Sequence, residues 1–124
     1  MPEPRTDREK AGLEVIDKLG WGANEALLEI DEEVWRIVSE ANFGTIWARP
    51  GLSLRDRELI CLSILIAIGA PGVTMHFKHA HHLGFTEDEI REVIIQTIPY
   101  AGFPKALQAM AAFKRVKSGE EPSL

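Results

Sequence analysis

Apolar residues along this chain recur mainly at helical spacing, and Gly, Pro and capping residues punctuate the runs. Thr6 followed by Glu9 reads as a capping box that opens a helix through about Leu19, and Gly20-Trp21-Gly22 breaks it. A short helical piece over Asn24 to Glu29 follows. Asp31, ahead of Glu32 and Glu33, caps the next helix with acids in its first turn. There Val34, Ile37, Val38 and Ala41 form a stripe expected to face a core. Trp35, Asn42 and Ile46 form a second stripe, suited to a neighbouring subunit or a pocket wall. Arg49-Pro50-Gly51 ends the helix.

Ser53 caps a helix from about Leu54 to Ile68. Beyond its charged first turn this helix is apolar nearly all round, the pattern of a helix buried on every side. A chain of 124 residues has little core to offer such a helix, so it is expected to pack in an oligomer. After Gly69-Ala70-Pro71-Gly72, a helix over Val73 to Leu83 ends at Gly84 as a left-handed cap. Thr86 and Glu89 make a second capping box. Ile90, Val93, Ile94, Thr97, Ile98 and Ala101 follow at amphipathic spacing, with Pro99 expected to kink or end the helix. Pro104 opens a last helix with Leu107, Met110 and Phe113 on one face and Lys114, Arg115 and Lys117 at its end. The expected fold class is all-α, one domain over residues 1–124 with frayed tails at about 1–5 and 118–124. No strand-period segment, repeat or low-complexity tract stands out.

Composition narrows the function classes. Fourteen basic residues against 19 acidic give a net charge of −5 with no long basic run, which argues against nucleic acid as a partner. The N-terminus has no apolar signal region. The longest apolar stretch, Leu59 to Ile68, is too short for a membrane, which needs roughly 20 residues. One cysteine, Cys61, allows neither an internal disulfide nor a two-thiol redox centre. A cytoplasmic protein is expected.

The most unusual segment is His76-Phe77-Lys78-His79-Ala80-His81-His82. At helical spacing His76, His79 and His82 share a broad face while His81 points elsewhere. Three readings stay open on this pattern: a His-rich solvated or interface helix, one catalytic histidine acting near neutral pH, or a zinc or copper site on His76, His79 and His82. Arg49, Arg55, Arg57 and Glu58 flank the start of the apolar helix. An arginine there can clamp a carboxylate, Glu58 can act as an acid or base, and Arg55 reads as part of a surface network. Cys61, a lone thiol in an apolar helix, reads as inert. Trp35, Trp47 and Tyr100 read as core or interface, with Trp47 and Tyr100 near the suspected segments.

Three segments in order carry a family resemblance: Phe43-Gly-Thr-Ile-Trp-Ala-Arg-Pro-Gly-Leu52 with Arg57; His76 with Gly84; and Thr86-Glu-Asp-Glu-Ile-Arg-Glu-Val93 leading to Tyr100-Ala-Gly-Phe-Pro104. Together they resemble the carboxymuconolactone decarboxylase family of the alkylhydroperoxidase D-like superfamily, over about Gly12 to Val116. The resemblance implies an all-α fold, assembly as a homo-oligomer (trimer or hexamer) with sites at or near subunit contacts, and a part in aromatic catabolism. The peroxidase branch carries a Cys-x-x-Cys pair where this chain has Gly69 and Gly72, so thiol peroxidase chemistry is disfavoured. His76 falls on the superfamily histidine, and Glu58 falls near the glutamate of the peroxidase relay. Two departures concern the substrate: family decarboxylases usually carry a small polar residue at Glu58, and Arg, Ala and Asn in place of His79, His81 and His82.

The reaction so implied is decarboxylation of an anionic lactone or related small carboxylic acid. It needs no cofactor, because electrons from the departing CO₂ flow through the double bond onto the lactone carbonyl. The expected roles are His76 as proton donor, Glu58 setting its tautomer or sharing the proton, and Arg49 or Arg57 orienting the substrate anion, with Trp47 and Tyr100 as further substrate contacts. Two alternatives are a different lyase or hydrolase of this fold on another small acid, and a non-enzymatic oligomeric protein that binds a small molecule.

Overall fold

The computed structural model describes residues 3–22 and 29–123, and all regular structure in them is helical. The helix expected over Asn24 to Glu29 falls almost wholly outside the described residues. The chain divides into two compact units, Met1–Leu54 and Arg55–Leu124.

The first unit contains α1 (Asp7–Lys18), α2 (Glu32–Ile37) and a π-helix (Val38–Trp47). Thr6 caps α1 by accepting from Glu9 N at 3.0 Å. The other half of the expected capping box is redirected. Glu9 Oε2 accepts from Arg5 N at 3.0 Å, and Glu9 Oε1 accepts from the Arg36 guanidinium at 2.7 Å. Glu9 and Arg36 are both largely buried, and Arg36 also donates to Glu3 O at 3.0 Å, so this carboxylate ties α1 to α2. Asp31 caps α2 as expected, accepting from Val34 N at 2.8 Å.

The stripe expected on this segment is a different one. Val34 and Ile37 are 54% and 60% exposed, while Trp35, Ser39, Phe43 and Trp47 are buried. The winding is the cause. Ala48 N bonds Phe43 O at 3.0 Å, a reach of five residues in place of the α-helical four. The wider turn brings positions four apart into line, so the stripe that starts at Trp35 passes through Phe43 and Trp47 and misses Asn42 and Ile46. Two glycines let α1 and the π-helix approach closely. A Cβ on Gly12 would stand 1.8 Å from Ser39 O, and one on Gly44 would stand 2.0 Å from Arg8 O.

The second unit holds α3 (Leu54–Ile68, its first residue at the boundary), α4 (Val73–His79), a 3₁₀ turn (Ala80–Leu83), α5 (Glu87–Ala101) and α6 (Phe103–Lys117). Leu62, Ile66, Val73, Phe77, Ile90, Ile94 and Phe113 form its core. α4 and α5 both pack on α6. Phe77 and Phe113 meet at 5.3 Å between ring centres.

α3 matches its expected bounds, but the chain buries only one side of it. Leu62 and Ile66 are sealed, whereas Ile60, Ile64 and Ile68 are 48%, 52% and 64% exposed. The helix expected over Val73 to Leu83 tightens to 3₁₀ geometry at Ala80 before Gly84 turns left-handed at φ 85°. The capping box of Thr86 and Glu89 is complete, and α5 runs two residues past Pro99 before ending. On α6 the buried stripe is Ala106, Ala109 and Phe113, with Leu107 66% exposed, because small alanines take the close packing. Part of the tail expected to fray at 118–124 makes contacts in the structure. Ser123 N donates to the Thr74 hydroxyl at 2.7 Å, and Glu120 pairs with Arg115 at 3.1 Å. No helix among the described residues is long and apolar enough to cross a membrane.

Candidate active site

α3 and α4 each bring one face to a shared point. On α3, Glu58, Cys61 and Leu62 stand at i, i+3 and i+4, one side of the helix. Leu62 anchors that side in the core, which fixes where Glu58 and Cys61 point. On α4, residues Val73 to Phe77 are all buried, His76 among them.

His76 Nδ1 lies 2.7 Å from Glu58 Oε1. The ring is 7% exposed and the carboxylate residue 2%. With Nδ1–H donating to Glu58, Nε2 is the second ring donor in the charged form. Cys61 Sγ sits 3.7 Å from Nε2 and 3.9 Å from Nδ1. Burial pulls the proton affinity of His76 down. The Cys61 sulfur and the Glu58 carboxylate outweigh it and raise the pKa from 6.5 to about 9. The ring is therefore an imidazolium near neutral pH, an acid held against a buried anion.

Of the expected site residues, Glu58 and His76 are brought together. Arg57 is half-buried with an interaction of its own. Tyr100 is 87% exposed and borders an open groove of about 840 Å³ with Leu59, Ser63, Gln96 and Thr97. Trp47 and Arg49 belong to the first unit. Trp47 is 8% exposed and packs on Phe43 at 5.8 Å, and Arg49 is exposed and already engaged. Arg55 leaves the surface network expected for it. It pairs with Glu89 and lies over the Phe85 ring at 4.2 Å.

The set His76, His79 and His82 is not assembled for a metal. Among the described residues no group of three or more His, Cys, Asp or Glu is arranged to hold one. The 3₁₀ turn is the reason, since it brings His81 to 4.1 Å from His82 and leaves His79 at 5.9 Å from His82, ring centre to ring centre. Burial first, then the cations Lys78 and the other histidines, lower the pKa of His79. Sequence reasoning missed Cys61 as a neighbour of His76. The available signal was its i+3 spacing from Glu58.

Residues 32–115 match the carboxymuconolactone decarboxylase family. The chain is 33% identical over 109 residues to 4-carboxymuconolactone decarboxylase of Acinetobacter baylyi, covering 83% of this chain and 81% of that protein. It is 36% identical over 75 residues to nitrosuccinic acid decarboxylase of Metarhizium robertsii, covering 60% of this chain and 52% of that protein. With most of its helical length inside the match, the chain belongs to the carboxymuconolactone decarboxylase family.

Proposed function

We propose that the protein is a cofactor-free decarboxylase of a small carboxylic acid that carries its own electron sink, with His76 as the proton donor. The buried His76–Glu58 pair carries this reading: a charged acid is held at 2.7 Å from its counter-ion. The two decarboxylase relatives support the substrate class. One is named for a carboxylated unsaturated lactone and the other for a nitro diacid. In either compound the electrons of the breaking C–CO₂ bond have somewhere to go, the lactone carbonyl through its double bond or the nitro group.

The step balances simply. The substrate carboxylate leaves as CO₂, its bonding pair passes into the sink, and His76 Nε2–H delivers a proton to the resulting carbanionic carbon. Glu58 keeps Nδ1–H throughout and stabilises the charged ring before transfer. Water then returns the proton to His76. Arg57 and Tyr100 are the proposed contacts to the substrate's anionic and apolar parts in the second unit. We also propose that the protein works as a homo-oligomer.

The second relative favours a wider reading, in which the substrate is a diacid and not a lactone. A panel of 4-carboxymuconolactone and 2-nitro diacids, followed by CO₂ release, separates the two. His76→Gln is expected to lower kcat by roughly 10²–10⁴-fold on whichever acid is turned over. Unchanged turnover in a correctly assembled variant would remove His76 from the chemistry. Tight capture of these acids without CO₂ release would favour a binding protein instead.

A further inference from the structure

We propose that Cys61 is a positioning residue for the proton donor: its sulfur, packed against both ring nitrogens of His76, holds the imidazole in its charged form. The inference rests on His76 acting as the donor described above.

The geometry sets the sulfur apart from a core thiol. It stands 3.7 and 3.9 Å from the two nitrogens, within reach of either as a sulfur hydrogen-bond partner. It faces the ring as a polarisable, electron-rich neighbour. Glu58 occupies the Nδ1 side at 2.7 Å and is 2% exposed, whereas Cys61 is only partly buried. Cys61 is thus the more open of these two side chains. Glu58 and Cys61 leave the same side of α3 one turn apart, so a single helix face supplies both groups that favour the imidazolium.

Without the sulfur, the buried ring would keep its desolvation penalty and lose part of what offsets it. Cys61→Ala and Cys61→Ser test this through a property that a space-filling role would not move. The His76 Cε1–H resonance is followed by NMR from pH 5 to 10.5 in the substrate-free protein. The wild-type midpoint is expected near 9. Cys61→Ala is expected to lower it by about one pH unit, the low end of the effect of a favourable neighbour. Cys61→Ser, which keeps a smaller electron-rich atom, is expected to fall between. The alkaline limb of kcat/KM should move with the midpoint. A midpoint unmoved in both folded variants would overturn the proposal. The titration needs no substrate, so its outcome is independent of the His76→Gln result. If His76→Gln retained full turnover while Cys61→Ala still shifted the midpoint, the donor reading would fail and the effect of Cys61 on the ring would stand.

Discussion

A carboxylate 2.7 Å from Nδ1 of His76 cannot lose its charge without lowering the proton affinity of that ring. Glu58→Gln keeps an oxygen that can accept from Nδ1–H and removes the charge. It is expected to lower the His76 midpoint by between about one and three pH units. The alkaline limb of the kcat/KM profile should move to lower pH by the same amount, and a limb that stays in place would detach Glu58 from the reaction. The sign for stability follows from the same shift. The folded-state pKa is raised from 6.5 to about 9, so the pair stabilises the fold fully below about 6.5, and this contribution is lost as pH rises through 9. At this scale the sequence was partly legible. That His76 and Glu58 would meet was readable through the family resemblance and the chemistry of the side chains. The contact of Cys61 was not, because a thiol on an apolar helix is ordinarily inert, and its i+3 spacing from Glu58 was the signal passed over. The shared face drawn for His76, His79 and His82 assumed a constant 100° per residue across Ala80, where the backbone tightens.

Elements were legible wherever a capping residue and a regular period agreed. Leu54–Ile68 has its expected bounds, and Thr86 with Glu89 opens α5 as its sequence requires. The π-helix was not legible, because its longer hydrogen-bond reach leaves no mark in composition, and an α-helical period assigns its apolar residues to the wrong side. The close approach of α1 to this segment gives the sharpest test of it. On helix propensity alone Gly12→Ala would stabilise by roughly 0.5–1 kcal/mol. Its new Cβ would instead stand 1.8 Å from Ser39 O and 2.9 Å from Gly44 N, both backbone atoms that cannot rotate away. Steric cost decides the sign, and a destabilisation of about 2 kcal/mol or more is expected from the denaturant midpoint. A stabilised variant would mean that α1 and the π-helix stand further apart.

At the scale of the whole molecule, α3 carries the inference about assembly. Its buried side is satisfied by Leu62 and Ile66 within the second unit. Its other side presents Ile60, Ile64 and Ile68 at i, i+4 and i+8, a continuous row on one face, each about half or more exposed. The unit also exposes Phe103 at 64% and Leu107 at 66% on α6. Scattered apolar residues on a surface need no partner, and a continuous row of three isoleucines is the feature that supports the proposed assembly. The apolar surplus of this helix was legible in the sequence, as the shortage of polar positions on Leu59 to Ile68. The division into two compact units was not, because nothing in local composition at Leu54 marks it. Ile64→Glu places a charge in the middle of the row and leaves the buried side of α3 untouched. Sedimentation velocity is expected to show the wild-type chain as a multimer and this variant as monomer or in rapid exchange, with unchanged helical circular dichroism. A wild-type protein that sediments as a monomer at tens of micromolar, or a variant that assembles as well as the wild type, would leave the row without a partner and the proposed assembly without its main support.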